Sequence, residues 1–435
     1  MSVVEYPLPG AWVREFTADV PLDWAAPGGE RIEVFVREFT DPDRRHDDLP
    51  LLTFLQGGPG GANPRPAGAS TPGGWLDEAL PHYRVVLVDQ RGTGRSTPID
   101  GTFVAERFGT DGRAAADFLL NFRADSIVRD LEHVRRNHYD GRKWATLAQS
   151  FGGWITLTYL STAPEALSAC YVCGGIPGTP PDPEAVYSRT FSRVAAKTAD
   201  FYRRYPHDQA TVAAIADVLA SGTVKLPDGS PLSVRRFQTL GNDLGFGPGH
   251  LRLHWLVSEA FAAGGRLSDG FLEAVLSRTS QAGGPLFWTL QETIYGDGAN
   301  GPFRWAAQRE RDRRPEFAED RRPLLFTSEM AFPWLFEEIT ALRPFAPAMD
   351  ALAEQEVWSP LYDLPRLAAN EVPLAAAVYA DDVFVDADLS RDTLSRLGNA
   401  RAWVTNEFEH DGIGSGRTFS RLREMVRDRG GELRQ

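Results

Sequence analysis

The stretch Trp144–Thr158, WATLAQSFGGWITLT, constrains the chain more than any other. A short apolar run, Trp144 to Leu147, leads into Gln149-Ser150-Phe151-Gly152-Gly153, and a helix-compatible segment, Trp154 to Leu160, follows. A strand, one hydroxyl residue between small neighbours and then a helix form the pattern of a nucleophile elbow. The turn is so sharp that the serine takes strained backbone angles and its flanks must be small. Gly152 meets that demand fully and Ala148 nearly so. A serine held there stands above the sheet edge with a helix N-terminus behind it, where the Phe151 amide can face a developing oxyanion.

What surrounds the elbow reads as alternating strand and helix. Ile32, Val34 and Val36 alternate with Glu33, Phe35 and Arg37, the period of a half-buried strand in an antiparallel edge. Leu51–Leu55 and Arg84–Asp89 are continuous apolar runs, the mark of strands covered on both faces. Ile127, Val128, Leu131 and Val134 fall at helical spacing, and a further strand is expected over 169–174. Such alternation implies a mostly parallel sheet with helices on both faces, binding its ligand beyond the carboxyl ends of the strands, where Ser150 sits. The α/β class follows, over residues 1–178.

From about 179 to 345 the alternation stops. Helix patterns such as Tyr187–Tyr205 and Gln209–Leu219 run between Gly/Pro breaks and carry Trp255, Phe287, Trp288, Trp305, Phe332 and Trp334. This reads as a helical cap over the sheet edge, which would confine a substrate and exclude water. The sheet resumes within 346–435, at Pro373–Tyr379 and Arg401–Thr405, and an amphipathic helix with Phe419, Leu422, Met425 and Val426 closes it.

A serine hydroxyl near neutral pH needs a base, and the base needs an orienting carboxylate. On this architecture the chain order is Ser, acid, His. Of eight histidines only His410 lies beyond the resumed sheet, in a Gly-flanked loop after the last strand. The acid should close the strand before it, where Asp381 and Asp382 both stand. The loop Gln56-Gly57-Gly58-Pro59-Gly60-Gly61 follows an early strand, and the Gly57 or Gly58 amide is expected to supply the second oxyanion donor. Asp89-Gln90-Arg91-Gly92-Thr93-Gly94 lacks the full G-x-G-x-x-G spacing and reads as a structural turn rather than a nucleotide loop.

Composition closes off other classes. A net charge of −13 disfavours nucleic acid, and no apolar run approaches a membrane span. Cys170 and Cys173 have C-x-x-C spacing, but in a buried strand residues three apart face opposite sides, so no metal or redox use is expected. Two cysteines make no disulfide scaffold and suit a reducing cytoplasm.

Gly57-Gly58-Pro59-Gly60, Asp89-Gln90-Arg91-Gly92-Thr93-Gly94-Arg95-Ser96 and Gln149-Ser150-Phe151-Gly152-Gly153, in this order, resemble the motifs of the proline iminopeptidases. Those are serine peptidases of α/β-hydrolase fold that release an N-terminal proline. The resemblance spans the chain, and the long cap together with Phe326-Thr327-Ser328-Glu329-Met330 is similar to the larger bacterial subgroup. Two departures stand out: Gln56 where the family loop usually begins with His, and Ala148 where the elbow usually begins with Gly. The resemblance implies Asp382 as the acid, no cofactor or metal, and short peptides with a free N-terminal proline as substrates. It also implies cap glutamates that pair with the substrate ammonium. Glu292 and Glu329, both in aromatic surroundings, are the candidates, with Trp288, Phe332 or Trp334 against the proline ring. An esterase or amidase on the same scaffold would share the triad and differ in not requiring a free amine.

Overall fold

In the computed structural model, which describes residues 3–66 and 73–431, nine strands form one sheet in the order β1-β2-β3-β5-β4-β6-β7-β8-β9. The N-terminal region makes three of them, β1 (Val4–Leu8), β2 (Ala11–Pro21) and β3 (Arg31–Thr40), paired antiparallel. In β3 the expected alternation holds for Ile32, Val34 and Val36, yet Phe35 is buried as well. The Arg95 guanidinium covers its ring at 4.0 Å, so the second face of this strand is closed by a cation instead of open to solvent.

β3 meets β5 (Arg84–Val88) antiparallel, and from there every pairing is parallel: β5 with β4 (Leu51–Leu55), then β6 (Trp144–Gln149), β7 (Leu167–Cys173), β8 (Leu374–Tyr379) and β9 (Ala400–Thr405). The chain leaves β4 for β5 on one side and returns to β6 on the other. The carboxyl ends of β4 and β6 therefore flank the point where strand order reverses, the usual place for a ligand site in such a sheet.

Both sheet faces are covered. On one, Ile127, Leu131 and Val134 of the helix Ala124–His138 pack with Ile155, Leu157 and Leu160 of the helix Phe151–Thr162. On the other, Leu76 and Ala79 of the short helix Trp75–Ala79 meet Phe419, Leu422 and Val426 of the last helix, Gly416–Arg427. Cys170 belongs to the first cluster and Cys173 to the second, so the two thiols lie on opposite faces, free and buried. Burial pushes the Cys170 thiol up to about 12 and raises Cys173 further, leaving both protonated and unreactive.

Between β7 and β8 every named element is a helix or 3₁₀ turn, beginning with Pro183–Arg204 and Pro206–Leu219. This insertion has two packing partners. Phe201, Ile215, Phe237, Leu253, Phe271 and Phe326 belong to a core of their own, whereas Leu286–Tyr295 and Met330–Ala353 contribute side chains to the cluster on the sheet face. Among the described residues, no helix is long and apolar enough to cross a membrane.

Candidate active site

Ser150 stands between the end of β6 and the first turn of the helix Phe151–Thr162, with φ 76° and ψ −116°. A non-glycine residue in that region costs of order 1–3 kcal/mol, which surrounding packing must hold in place. The packing is visible. A Cβ on Gly152 would overlap the carbonyl of Leu55 in β4, and one on Gly153 would overlap the carbonyl of Gly175 after β7. Strand and helix come together only because both positions lack side chains. The helix is buried from Phe151 to Ser161, and its Thr156, Thr158 and Ser161 hydroxyls donate to carbonyls four residues earlier, so none needs solvent. Ala148 replaces the usual glycine without disturbance. It is fully buried, and the missing Cβ at Gly152 leaves it room.

His410 and Asp382 converge on this serine from two other loops. His410 Nε2 lies 2.9 Å from Ser150 Oγ, and His410 Nδ1 lies 2.7 Å from Asp382 Oδ2. All three residues are buried. The remaining oxygen of Asp382 accepts the amides of Phe384 and Val385 at 2.8 and 3.1 Å, so the carboxylate is fixed by its own loop. Its neighbour Asp381 points outward, exposed, and sits 3.5 Å from Arg193. Adjacent residues face opposite ways, and the geometry separates the two aspartates that the strand-end position alone left equivalent.

Burial disfavours the imidazolium, but the Asp382 charge and hydrogen bond, with smaller contributions from Glu329 and Asp411, leave the His410 pKa above its ordinary value. The Asp382 partner also fixes the tautomer: a proton on Nδ1 leaves Nε2 free to accept from the serine. Phe384 sits edge-on to the imidazole, ring centroids 4.8 Å apart, and the Gln149 carboxamide donates to the His410 carbonyl at 3.0 Å.

Two sets of amides border Ser150. Phe151 N–H is the first of its helix and, like other first-turn amides, has no partner within the helix. The loop after β4 passes close by, since a Cβ built on Gly57 would lie 3.0 Å from Ser150 Cβ. That loop is held from the neighbouring strand. Gln90 Nε2 donates to the Gln56 carbonyl at 2.8 Å, and Asp89 accepts from Asn63 N–H at 3.1 Å and from both terminal nitrogens of Arg65. The segment after β5 is thus a brace for this loop. Arg91, fully buried, is locked by two bonds to Asp130 and by the carbonyls of Pro21, Leu22 and Asn121.

The two glutamates proposed from sequence have different surroundings. Glu292 is fully buried, and its oxygens accept the amides of Ala306 and Ala307 at 3.0 and 2.8 Å, which caps the helix Ala306–Asp312 from outside. Burial nevertheless pushes its pKa up to about 8. Glu329 is half-buried and accepts from Gln291 Nε2 at 2.6 Å through one oxygen, with no partner among the described residues on the other. Burial pushes it up to about 7, opposed by the charge of His410 and the Gln291 hydrogen bond.

Trp288, Phe332 and Trp334 all lie in the packed core that joins the insertion to the sheet. Phe332 and Trp334 stack on each other at 5.4 Å, with Arg311 and Arg235 over their faces. Aromatic content marked them from sequence, but aromatic side chains serve cores more often than sites. Phe384 and Gln149 contact His410, and Gln291 contacts Glu329. Only Gln149 carried a signal, its position beside Ser150.

The fold is that of the alpha/beta hydrolases, and a family profile described as alpha/beta hydrolase fold matches residues 50–221. Proline iminopeptidase from Aeromonas sobria is 43% identical over 414 residues, 95% of each chain. Proline iminopeptidase aneH from Aspergillus aculeatus is 33% identical over 92% of this chain and 90% of its own. The chain belongs to the proline iminopeptidase family. The crystal structure of proline iminopeptidase from Mycobacterium smegmatis aligns over 96% of this chain and 99% of its own, with 14% identity and a TM-score of 0.44. The family assignment rests on the sequence relatives.

Proposed function

We propose that the chain is a serine aminopeptidase that releases N-terminal proline from short peptides, with Ser150 as nucleophile, His410 as general base and acid, and Asp382 as its orienting partner. The observation that carries the reading is the hydrogen-bonded line Asp382–His410–Ser150, at 2.7 and 2.9 Å, on a strained elbow. Family membership supplies the substrate class.

The chemistry follows from these atoms. Ser150 Oγ attacks the prolyl carbonyl carbon while its proton passes to His410 Nε2. The carbonyl oxygen becomes an oxyanion held by the Phe151 amide and by that of Gly57 or Gly58. His410 then gives its proton to the leaving peptide nitrogen, the C–N bond breaks, and prolyl-Ser150 remains. Water, deprotonated by His410, attacks that ester and releases proline. Asp382 stabilises the imidazolium in both halves.

Glu329 serves as the reader of the substrate ammonium, supported by its open carboxylate oxygen and its coupling to His410. Glu292 acts behind it as a structural cap, because both its oxygens already have backbone partners. Residues 179–345 form the cap over the site, and Trp288, Phe332 and Trp334 support its inner wall instead of touching the proline ring. No cofactor or metal enters this chemistry. Two free, buried cysteines fit a reducing, cytoplasmic setting.

The test compares prolyl-arylamide with N-acetylprolyl-arylamide, with Ser150→Ala as control. The expected result is turnover of the free-amine substrate alone, lost in the variant. Equal turnover of both would overturn the aminopeptidase reading and leave an esterase or amidase.

A further inference from the structure

One helix of the insertion carries a row of cations aimed at the loops that hold the base and the acid. Arg189, Arg193 and Lys197 recur every fourth residue along Pro183–Arg204 and so share a face. Arg189 lies 3.5 Å from Asp386 and Arg193 3.5 Å from Asp381, both in the loop after β8. Lys197 Nζ lies 2.5 Å from Glu409 Oε1, the residue before His410. The first two pairs each have one partner more than a third exposed. The third is enclosed, with side-chain exposures of 10% for Lys197 and 24% for Glu409.

The insertion holds the His410 loop at three successive residues. Lys197 takes Glu409, the Gly245 carbonyl accepts the His410 amide at 3.0 Å, and the Gly247 amide donates to Asp411 Oδ1 at 3.0 Å. Phe246, between those two glycines, packs on Phe384, the ring that stands edge-on to the imidazole. From the sheet side, Gln149 holds the His410 carbonyl. The imidazole must meet Ser150 and Asp382 at once, and its backbone is fixed largely by residues of the insertion.

We infer that Lys197 is a positioning residue for the reaction, acting through Glu409 to hold the His410 backbone so that the imidazole bridges Asp382 and Ser150. This rests on the catalytic reading of His410. It extends that reading, because the insertion then supplies part of the base's alignment as well as the cover of the site. A displacement of the imidazole by a fraction of its hydrogen-bond length penalises the chemical step and leaves substrate affinity alone, because Lys197 and Glu409 act on the backbone that carries the base.

The experiment measures kcat and KM on prolyl-arylamide for the full-length wild type, Lys197→Met, Lys197→Arg, Glu409→Gln and the double variant Lys197→Met/Glu409→Gln. Ser150 is titrated to completion with a fluorophosphonate in each. Expected are a fall in kcat of about tenfold in Lys197→Met and in Glu409→Gln with KM within about twofold, a full titre of Ser150, recovery in Lys197→Arg, and a double variant no slower than the slower single. An unchanged kcat would overturn the inference. So would a loss that merely follows the titre of intact sites, or one confined to KM. Should Lys197→Met not fold, Glu409→Gln decides alone. Ser150→Ala separates this inference from the reading beneath it. An active Ser150→Ala sinks the triad, whereas an inactive one beside a fully active Lys197→Met sinks only the role of Lys197.

Discussion

Replacing Glu329 by Gln removes one charge and little else. Gln291 donates to Glu329 Oε1 at 2.6 Å, and a glutamine oxygen at the same position still accepts that bond, so the local geometry survives. On the reading proposed above, what disappears is a half-buried carboxylate that pairs with the substrate ammonium. A hydrogen bond to a charged group is worth about 1.5–3 kcal/mol. At about 1.4 kcal/mol per decade, kcat/KM on prolyl-arylamide should drop by roughly 10- to 150-fold. Hydrolysis of an ester without an amine, such as p-nitrophenyl acetate, should stay within about threefold. The pH profile provides a second readout. Burial holds Glu329 near 7, so at neutral pH a sizeable share is protonated and unable to pair with the ammonium. The wild-type profile should therefore rise across roughly pH 6–8 as both Glu329 and His410 lose protons. In the variant only His410 contributes. Because the Glu329 charge raises the His410 pKa, its removal should shift the remaining limb to lower pH. Equal losses on the amine and ester substrates, or an acidic limb that moves upward, would refute the assignment of Glu329 to the substrate amine.

Asp382→Asn should lower kcat by about 10⁴-fold with KM little changed, because the amide can leave His410 in the wrong tautomer while still accepting from the loop amides; steady-state kinetics on prolyl-arylamide checks it. Glu292→Gln tests the buried cap. The folded-state pKa of Glu292 is raised to about 8 from an unfolded value near 4.5. The folded protein therefore binds the extra proton between those values, and this group makes the wild type lose stability as pH rises from about 5 to 8. The stability difference, Glu292→Gln minus wild type, should move in favour of the variant by a few kcal/mol over that range, read from denaturant unfolding at each pH. A difference independent of pH would show that Glu292 stays ionised throughout.

How far the sequence reached depends on whether a feature was local. Strand and helix positions follow from side-chain periodicity and apolar runs, which is why β4 through β9 and the elbow helix fall where the pattern put them. His410 was found by elimination, since chain order on a parallel sheet leaves one histidine in the right loop. Periodicity missed the second buried face of β3, because Arg95 arrives from a distant turn. Composition alone does not say whether Trp288, Phe332 and Trp334 line a core or a pocket, and the structure places all three in the packed cluster on the sheet face. Nothing in sequence links Lys197 to Glu409, which are separated by 212 positions.

The sequence by itself determined the elbow, because small residues beside a serine between strand and helix admit one tight turn. It also determined the parallel sheet, whose buried strands must be apolar throughout. The family resemblance already pointed to Asp382, and the tertiary structure adds which aspartate meets the imidazole, Asp382 and not Asp381, and which glutamate has both oxygens occupied by backbone amides, Glu292 and not Glu329. Each pair is chemically alike, and the choice turns on which carboxylate faces the imidazole and which oxygen is already satisfied by backbone amides. Those are matters of direction and burial, set by how separate loops and helices pack against one another, which periodicity and composition do not encode.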